Sequence, residues 1–345
     1  MRRKGVLYDV GCRSGVNWRP DYTPALVRRE LEIIRTDLHC TVVKIRGRDV
    51  GRVMAAAEDG LDLGLEVWLS PELWNRSPDT TIRYISRAAT VAEELHTQWP
   101  GQVVFSVGTE LTLFTRGIVT GRTLGRRERA LREILTTGAY NVPLSAFLAR
   151  STMAVREVFH GPVTYAALPF ERVDLGHVRH QRHQPLRREP AKDRYLPTLE
   201  PLLTSGKPVV IGEFGFITRT DADQVGSAVP LNIDPLTMSL HLLPLTRRLV
   251  RPRVKTIHER DEGLQARYLL HQLELLDSAG VDGAFVYTFT APLWAHDDDP
   301  KHDLDTDSFS LVKSCPGRRR GTAYPDMNWE PKDAFRAVAS YYASH

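Results

Sequence analysis

Residues 103–110 read Val-Val-Phe-Ser-Val-Gly-Thr-Glu, a short apolar run that closes on the carboxylate of Glu110. A second run of the same kind, Pro-Val-Val-Ile-Gly-Glu-Phe-Gly at 208–215, carries Glu213. Short runs rich in Val, Ile and Phe predict buried strands. A carboxylate at the end of a buried strand is costly unless it faces a polar pocket. The two glutamates therefore indicate a paired-carboxylate site at the ends of two strands.

Strand-like runs alternate with amphipathic helical segments along the whole chain. The predicted strands are 6–11, 41–47, 65–70, 103–108, 163–167, 173–178, 208–211 and 283–289. The predicted helices are 24–38, 50–61, 80–98, 145–159, 195–203, 262–278 and 332–342. This alternation favours a parallel sheet with crossover helices. We predict an α/β fold, a closed (β/α)8 TIM barrel. An open doubly wound sheet is the alternative, but no glycine-rich phosphate loop follows an early strand.

The length of 345 residues suits a single barrel domain, 1–345, with long loops. The longest connections follow strands four and seven, at about 115–143 and 217–261. Loops of this length are uncommon unless they are functional or disordered, and in a barrel both would lie on the face where active sites form. We expect these two segments to be loops that form a lid or a rim that shapes the substrate site.

Composition and charge exclude several classes of protein. The net charge is +4, but acidic residues are spread among the basic ones, so no basic surface for nucleic acid is expected. No stretch of about 20 apolar residues predicts a membrane span. The three cysteines are Cys12, Cys40 and Cys315, whose spacing fits neither a disulfide framework nor a zinc site. Because no apolar segment follows the basic N-terminus, we expect a cytoplasmic protein. The sequence does not predict its oligomeric state.

Four features of the sequence resemble one superfamily. Glu110 ends strand four, Glu213 ends strand seven, and Arg46 ends strand two. Tyr-Thr-Phe at 287–289 forms the end of strand eight, and Trp294 follows it. In this arrangement the chain resembles the retaining glycoside hydrolases of clan A. The segment Trp-Glu-Pro-Lys-Asp-Ala-Phe at 329–335 is also similar to the entry into their final helix. The clan usually has Asn directly before the acid/base glutamate, whereas this chain has Thr109.

The resemblance implies hydrolysis of a glycoside or oligosaccharide by retaining double displacement, without a cofactor. Glu110 would be the acid/base and Glu213 the nucleophile, with Arg46 supporting its charge and Thr109 near the sugar 2-hydroxyl. Such a mechanism needs two carboxyl groups about 5–5.5 Å apart. A structural alternative is that both glutamates form salt bridges at loop bases. A functional alternative is a non-hydrolytic barrel: a carbohydrate-like ligand binder, a transglycosylase or a natural-product tailoring enzyme.

Further residues are candidates for substrate binding. Asp9 ends strand one and would bind a sugar hydroxyl or cap the following turn. Trp74 would stack on a sugar or pack in its loop, and Trp294 with Tyr287 would form an aromatic floor. His177 and His180 are candidates for polar substrate contact, with a solvated loop or a core position as alternatives. No metal site is predicted, because 177 and 180 would point to opposite faces of a strand.

Two charged segments have alternative interpretations. The acidic stretch from Asp297 to Asp307 begins like a calcium loop, but it lacks the required glycine and distal glutamate. It would otherwise cover the mouth of the active site or form a solvated turn. The arginines between 116 and 132 would favour an anionic substrate or form a helix face in water.

Overall fold

A computed structural model describes residues 1–13, 16–19, 21–168, 170–172, 179–182, 192–204, 206–225, 232–243, 245–246, 249–317 and 322–345. The central feature of these residues is a closed parallel barrel. Its strands are β1 (Arg3–Asp9), β2 (Val42–Gly47), β3 (Glu66–Pro71), β4 (Val103–Thr109), β5 (Val163–Ala167), β6 (Arg179–Arg182), β7 (Val209–Phe214) and β8 (Gly283–Val286). Each strand pairs in parallel with the next in chain order, and β8 pairs with β1. The predicted α/β barrel is therefore confirmed.

The two faces of the strands pack against different surroundings. Val42, Trp68, Val104, Val210 and Phe285 form a separate apolar cluster inside the barrel, where the rings of Trp68 and Phe285 meet at 5.3 Å. The alternate residues of the same strands pack outward in the main hydrophobic core. Because side chains alternate along a strand, this interior cluster identifies which residues farther along each strand also point into the barrel.

The helices surround the barrel and connect its strands. They are α1 (Pro24–Thr36), α2 (Val50–Asp62), α3 (Pro78–Gln98), α4 (Leu111–Phe114), α5 (Leu124–Ile134), α6 (Asn141–Arg156), α7 (Lys192–Leu203), α8 (Ala222–Val225), α9 (Pro235–Leu242), α10 (Glu262–Ser278) and α11 (Asp333–Ser344). Local signals set their ends. At α1, for example, the side chain of Thr23 accepts a hydrogen bond from Leu26 N, and Pro24 occupies the first turn.

Three predicted regions need comment against the observed elements. The sixth strand was expected at 173–178, which lies outside the described residues, and the strand between β5 and β7 is Arg179–Arg182. The segments 115–143 and 217–261 also contain helices, α5 in the first and α8 and α9 in the second. In α5 the buried residues are Arg127 and Leu131, four apart, so this basic segment contacts the core along one narrow stripe.

The chain terminus closes the structure beside β1. Lys4 Nζ donates to the carbonyl of Tyr342 at 2.8 Å, and the hydroxyl of Tyr342 donates to the carbonyl of Gly5 at 3.0 Å. Trp329 is buried and donates from its indole nitrogen to Glu30 at 3.0 Å.

Within the described residues, no helix combines the length and apolar character needed to cross a membrane.

Candidate active site

Glu213 lies at the end of β7, opposite a register irregularity between β6 and β7 at Gln181 and Arg182. Its Oε1 is 3.1 Å from Lys44 Nζ and 3.4 Å from Arg46 Nη1. All three side chains are buried, and that of Glu213 is only 1% exposed. Two cations contact one carboxylate oxygen, so the ionised form of Glu213 is stabilised where desolvation would otherwise oppose it.

Arg46 connects several groups at the carboxyl ends of the strands. Its Nε is 3.2 Å from Asp9 Oδ2 and 4.0 Å from Glu72 Oε1, and its Nη2 donates to the Tyr287 hydroxyl at 3.1 Å. Burial by itself lowers the pKa of Arg46, but Tyr287 and the three carboxylates raise it well above its usual value. Arg46 therefore remains a fixed positive charge that joins β1, β2, β7 and the segment after β8.

Glu72 is a second buried carboxyl group in this cluster. It follows β3 directly and is 5% exposed. Burial raises the pKa of Glu72 to about 7, with the negative charges of Glu213 and Asp9 adding to the rise and the cations Arg46 and Lys44 opposing it. A carboxyl group that exchanges its proton near neutral pH thus lies beside Glu213.

Glu110 follows β4 and begins the short helix α4, with a backbone φ of 49° and 3% exposure. Leu111 N, the next backbone donor, contacts the Tyr165 hydroxyl at 3.0 Å, and that hydroxyl donates to Glu171 Oε2 at 2.8 Å. Burial raises the pKa of Glu171 to about 7, and the negative charge of Glu110 contributes to this rise. A left-handed backbone conformation is uncommon for a non-glycine residue and is enriched at functional sites. The conformation of Glu110 therefore supports its selection as a candidate functional residue.

Thr109, the residue before Glu110, is buried and directed towards β3. Its hydroxyl lies 3.3 Å from that of Ser70. Ser70 is two residues beyond Trp68, so it belongs to the row that faces the barrel interior. Thr109 therefore contacts the neighbouring strand β3 through its side chain.

A cavity of about 160 Å³ opens beside this cluster. Four of the predicted substrate-binding residues line it: Asp9, Arg46, Tyr287 and Trp294. Asp307, the last residue of the acidic stretch that was a candidate to cover the mouth of the active site, also lines it. Other parts of its wall come from residues that the sequence did not single out for substrate binding, including Trp18, Asn232 and Phe309. Glu110, Glu213 and Thr109 are not among the lining residues.

The remaining predicted site residues have other surroundings. Trp74 stacks on Phe114, with ring centroids 4.0 Å apart and planes within 10°, and it does not line this cavity. His177 lies outside the described residues. His180 belongs to β6, but the position of its side chain is not described.

The acidic stretch before Asp307 forms ion pairs with cations of the chain. Arg260 contacts Asp303 at 2.8 Å and Asp305 at 2.9 Å, and Lys332 contacts Asp305 at 2.8 Å. Among the described residues there is no cluster of His, Cys, Asp and Glu able to hold a metal ion. In this segment, protein cations occupy the positions around the carboxylates that calcium would need.

Lys44 and Glu72 are charged residues of the cluster around Glu213 that sequence reasoning missed, although each left a signal in the sequence. Lys44 interrupts the apolar run Val-Val-Lys-Ile-Arg-Gly at 42–47. It is two residues before Arg46, so on a strand both side chains point to the same face. Glu72 closes Val-Trp-Leu-Ser-Pro-Glu at 67–72, in the same way that Glu110 closes its own strand run. A charge inside or at the end of a buried strand needs a polar partner. The positions of Lys44 and Glu72 in the sequence therefore indicate that both contact polar groups.

Structural comparison finds the same fold among glycoside hydrolases. Two structures of a GH113 β-1,4-mannanase match with TM-scores of 0.57 and 0.58 and identities of 16% and 17%. The first match covers 99% of each chain, and the second covers 100% of this chain and 99% of that chain. A Parabacteroides merdae β-glucuronidase matches with a TM-score of 0.59 and 14% identity, over 99% of this chain and 36% of that chain.

No protein-family model and no curated protein sequence matches this chain. At identities this low, the structural comparison demonstrates a shared fold. The resemblance to the clan A glycoside hydrolase barrels is therefore confirmed at the level of fold.

Proposed function

We propose that this chain is a glycoside hydrolase that acts by retaining double displacement, with Glu213 as nucleophile and Glu110 as acid/base. The observation that carries the proposal is the environment of Glu213. This carboxylate lies at the end of β7 with Lys44 and Arg46 bound to its Oε1. Glu110 follows β4, at the same end of the barrel, where barrel enzymes place their catalytic groups.

In the first step, Glu110 protonates the oxygen of the leaving group while Glu213 attacks the anomeric carbon, and the glycosidic bond breaks as a glycosyl–enzyme ester forms. In the second step, Glu110 removes a proton from water, which attacks the same carbon and releases Glu213. Lys44 and Arg46 orient the nucleophile and stabilise its charge in the free enzyme. Asp9 and Tyr287, both bonded to Arg46, fix the guanidinium in place.

The first experiment is a glycoside panel that starts from β-1,4-mannan and β-glucuronides, the substrates named for the fold relatives. An activated 2-fluoro sugar of the best substrate class is then incubated with the full chain and analysed by intact mass and peptide mapping. A stoichiometric adduct on Glu213 supports the proposal. Glu213→Gln should abolish both adduct and turnover, while far-UV circular dichroism remains unchanged. An adduct on another residue, or turnover retained by Glu213→Gln, would overturn it.

The role of Glu110 needs a separate measurement. Glu110→Gln should lose activity steeply on substrates with poor leaving groups, because protonation of the departing oxygen is their main requirement. It should retain much more activity on substrates with strongly acidic phenol leaving groups. An equal loss on both classes would contradict the acid role of Glu110.

A second candidate function is a barrel of the same fold that binds a carbohydrate-like ligand without hydrolysis, or modifies it by other chemistry. The observation that favours it is burial: Glu110 is 3% exposed, Glu213 is 1% exposed, and neither lines the cavity. Binding of sugars without adduct formation or turnover across the panel would support this candidate.

We also propose that residues 1–345 act as one cytoplasmic domain that needs no cofactor, with 115–143 and 217–261 shaping the substrate site. The free, buried thiol of Cys40 supports a reducing compartment. The contact of Asn232, from the second segment, with the cavity supports the shaping role. If the purified chain still hydrolyses its substrate after dialysis against a chelator, this result would support the proposal that it needs no cofactor.

A further inference from the structure

The cavity beside Arg46 is lined by polar groups that already bind one another. Asp9 accepts hydrogen bonds from Gly11 N at 2.8 Å and from Arg46 Nε at 3.2 Å. The remaining nitrogens of Arg46 contact Glu213 and Tyr287. The Thr288 hydroxyl donates to the carbonyl of Leu7 at 2.8 Å. The floor of the cavity is therefore charged, yet its hydrogen-bonding capacity is largely used within the protein.

Most polar groups in the wall built by the later loops are also paired within the protein. Both amide atoms of Asn232 bond the backbone of Thr256, at 2.8 and 2.9 Å. Asp307 Oδ1 contacts Arg219 at 2.8 Å, and Asp307 Oδ2 is the exception, a buried oxygen without a hydrogen-bond partner. The Ser308 hydroxyl lies 2.7 Å from Ser310, and the Thr290 hydroxyl lies 3.0 Å from Ser314. A ligand rich in hydroxyl groups would have to break these contacts or leave its own groups unpaired, and both cost free energy.

Apolar and aromatic surfaces supply the rest of the lining. The Trp18 and Trp294 rings lie with centroids 6.0 Å apart, and the Tyr287 and Phe309 rings lie 5.7 Å apart. The apolar residues Ala291, Pro292 and Leu293, which lie between Tyr287 and Trp294 in the chain, also line the cavity. Rings arranged in this way favour a planar apolar group, which gains by leaving water and by stacking.

The cavity also adjoins the proposed nucleophile. Arg46 lines it and donates to Glu213 at 3.4 Å, so a group in the cavity is separated from Glu213 by a single side chain. We propose that this cavity binds the planar apolar aglycone of a glycoside, with the sugar directed towards Glu213. The inference rests on the proposed function for its sugar, and it assigns the preferred substrates to aryl or similar apolar glycosides instead of oligosaccharides.

The test measures binding directly, without turnover. The full chain is titrated with 2-naphthol, methyl β-D-glucopyranoside and methyl β-D-mannopyranoside by isothermal titration calorimetry at several temperatures. We expect 2-naphthol to bind at least about tenfold more tightly than either methyl glycoside, which is the effect of roughly 1.4 kcal/mol. Its binding should show a negative heat-capacity change, the mark of apolar burial.

Variants locate the binding site. Trp294→Ala removes one aromatic wall and Ala291→Phe fills the cavity, so each should weaken 2-naphthol binding by at least about tenfold. Trp99→Phe, between α3 and β4 at the opposite end of the barrel, should bind like the wild type. If Trp294→Ala does not fold, Ala291→Phe decides the result. Equal affinity for 2-naphthol and the methyl glycosides, or unchanged 2-naphthol binding by Ala291→Phe, would overturn the inference.

The two proposals fail in different ways. Glu213→Gln should keep the affinity for 2-naphthol, because Glu213 does not line the cavity. If 2-naphthol binds as expected while no glycoside is hydrolysed, the aglycone site stands and the hydrolase proposal fails. If glycosides are hydrolysed but 2-naphthol shows no preference, the hydrolase stands and the aglycone site fails.

Discussion

Lys44 and Glu213 form an ion pair inside the barrel, although 169 residues separate them in the chain. Nζ and Oε1 lie 3.1 Å apart, and each side chain is 1% exposed. A buried pair adds little net stability over a well-packed apolar pair, but removing one partner leaves a charge stranded in a poor solvent. The pair therefore links the fold of β2 to the ionised state of the proposed nucleophile.

Replacing Lys44 by Met should destabilise the protein strongly. We expect a loss of about 3–5 kcal/mol in the free energy of unfolding, measured by urea titration, since Arg46 alone would then face the charge of Glu213. The double variant Lys44→Met with Glu213→Gln should recover part of that loss. Arg336→Met breaks an exposed pair with Asp333 and serves as control, because water screens such pairs. A Lys44→Met variant as stable as the control would show that the buried pair is unimportant.

The carboxyl groups of Glu72 and Glu171 should make stability depend on pH near neutrality. Both have a pKa raised to about 7 by burial, compared with a usual value of 4.5. As pH rises through the interval between those values, the unfolded chain releases protons that the folded protein keeps. Each group therefore contributes stability that is present below that interval and is lost as pH rises through about 7.

The measurement is urea unfolding across about pH 5 to about pH 8. The slope from each group is at most about 1.4 kcal/mol per pH unit, so Glu72→Gln and Glu171→Gln should each flatten the decline of the wild type. Glu58→Gln, at an exposed position of α2, should leave the profile unchanged. Parallel profiles for wild type and Glu72→Gln would refute the elevated pKa of Glu72.

Gly215 allows the end of β7 to approach the segment after β8. A Cβ at this position would lie 2.4 Å from the backbone oxygen of Tyr287, closer than atoms can pack. Gly215→Ala should therefore cost about 1–3 kcal/mol in unfolding free energy and displace Tyr287 from Arg46. Gly125→Ala in α5, where a Cβ meets open space, should be neutral or stabilising by up to about 1 kcal/mol. Similar stabilities for the two variants would contradict the close approach.

Calcium should not stabilise the segment that contains Asp303 and Asp305. The partly buried Arg260 and the buried Lys332 already contact these carboxylates. Displacing both cations would cost more free energy than binding of a calcium ion would supply, because the segment lacks the distal glutamate of a calcium loop. We expect the same melting temperature in calcium chloride and in EDTA, whereas Arg260→Met should lower it by several degrees. A rise in melting temperature with calcium would show a site that these contacts do not reveal.

Much of the barrel could be predicted because its signals are local. The run at 103–110 is apolar and β-branched, and amphipathic segments such as 80–98 separate it from its neighbours, so element types follow from periodicity. The carboxyl ends of parallel strands lie together in any barrel, which is why Asp9, Arg46 and the two glutamates were placed near one another. The helix at Leu124–Ile134 was harder to predict, because only one narrow stripe of it is buried.

The sequence by itself determined the alternation of strands and helices and the charges at the strand ends, because these depend on residues adjacent in the chain. Only the tertiary structure decided that Lys44 contacts Glu213, that Glu72 joins Arg46, and that Trp18 and Phe309 share a cavity wall with Trp294. These relationships depend on barrel closure and strand register, which bring together residues far apart in sequence. A shift of register would change every one of these partners while leaving the local pattern of the sequence unaltered.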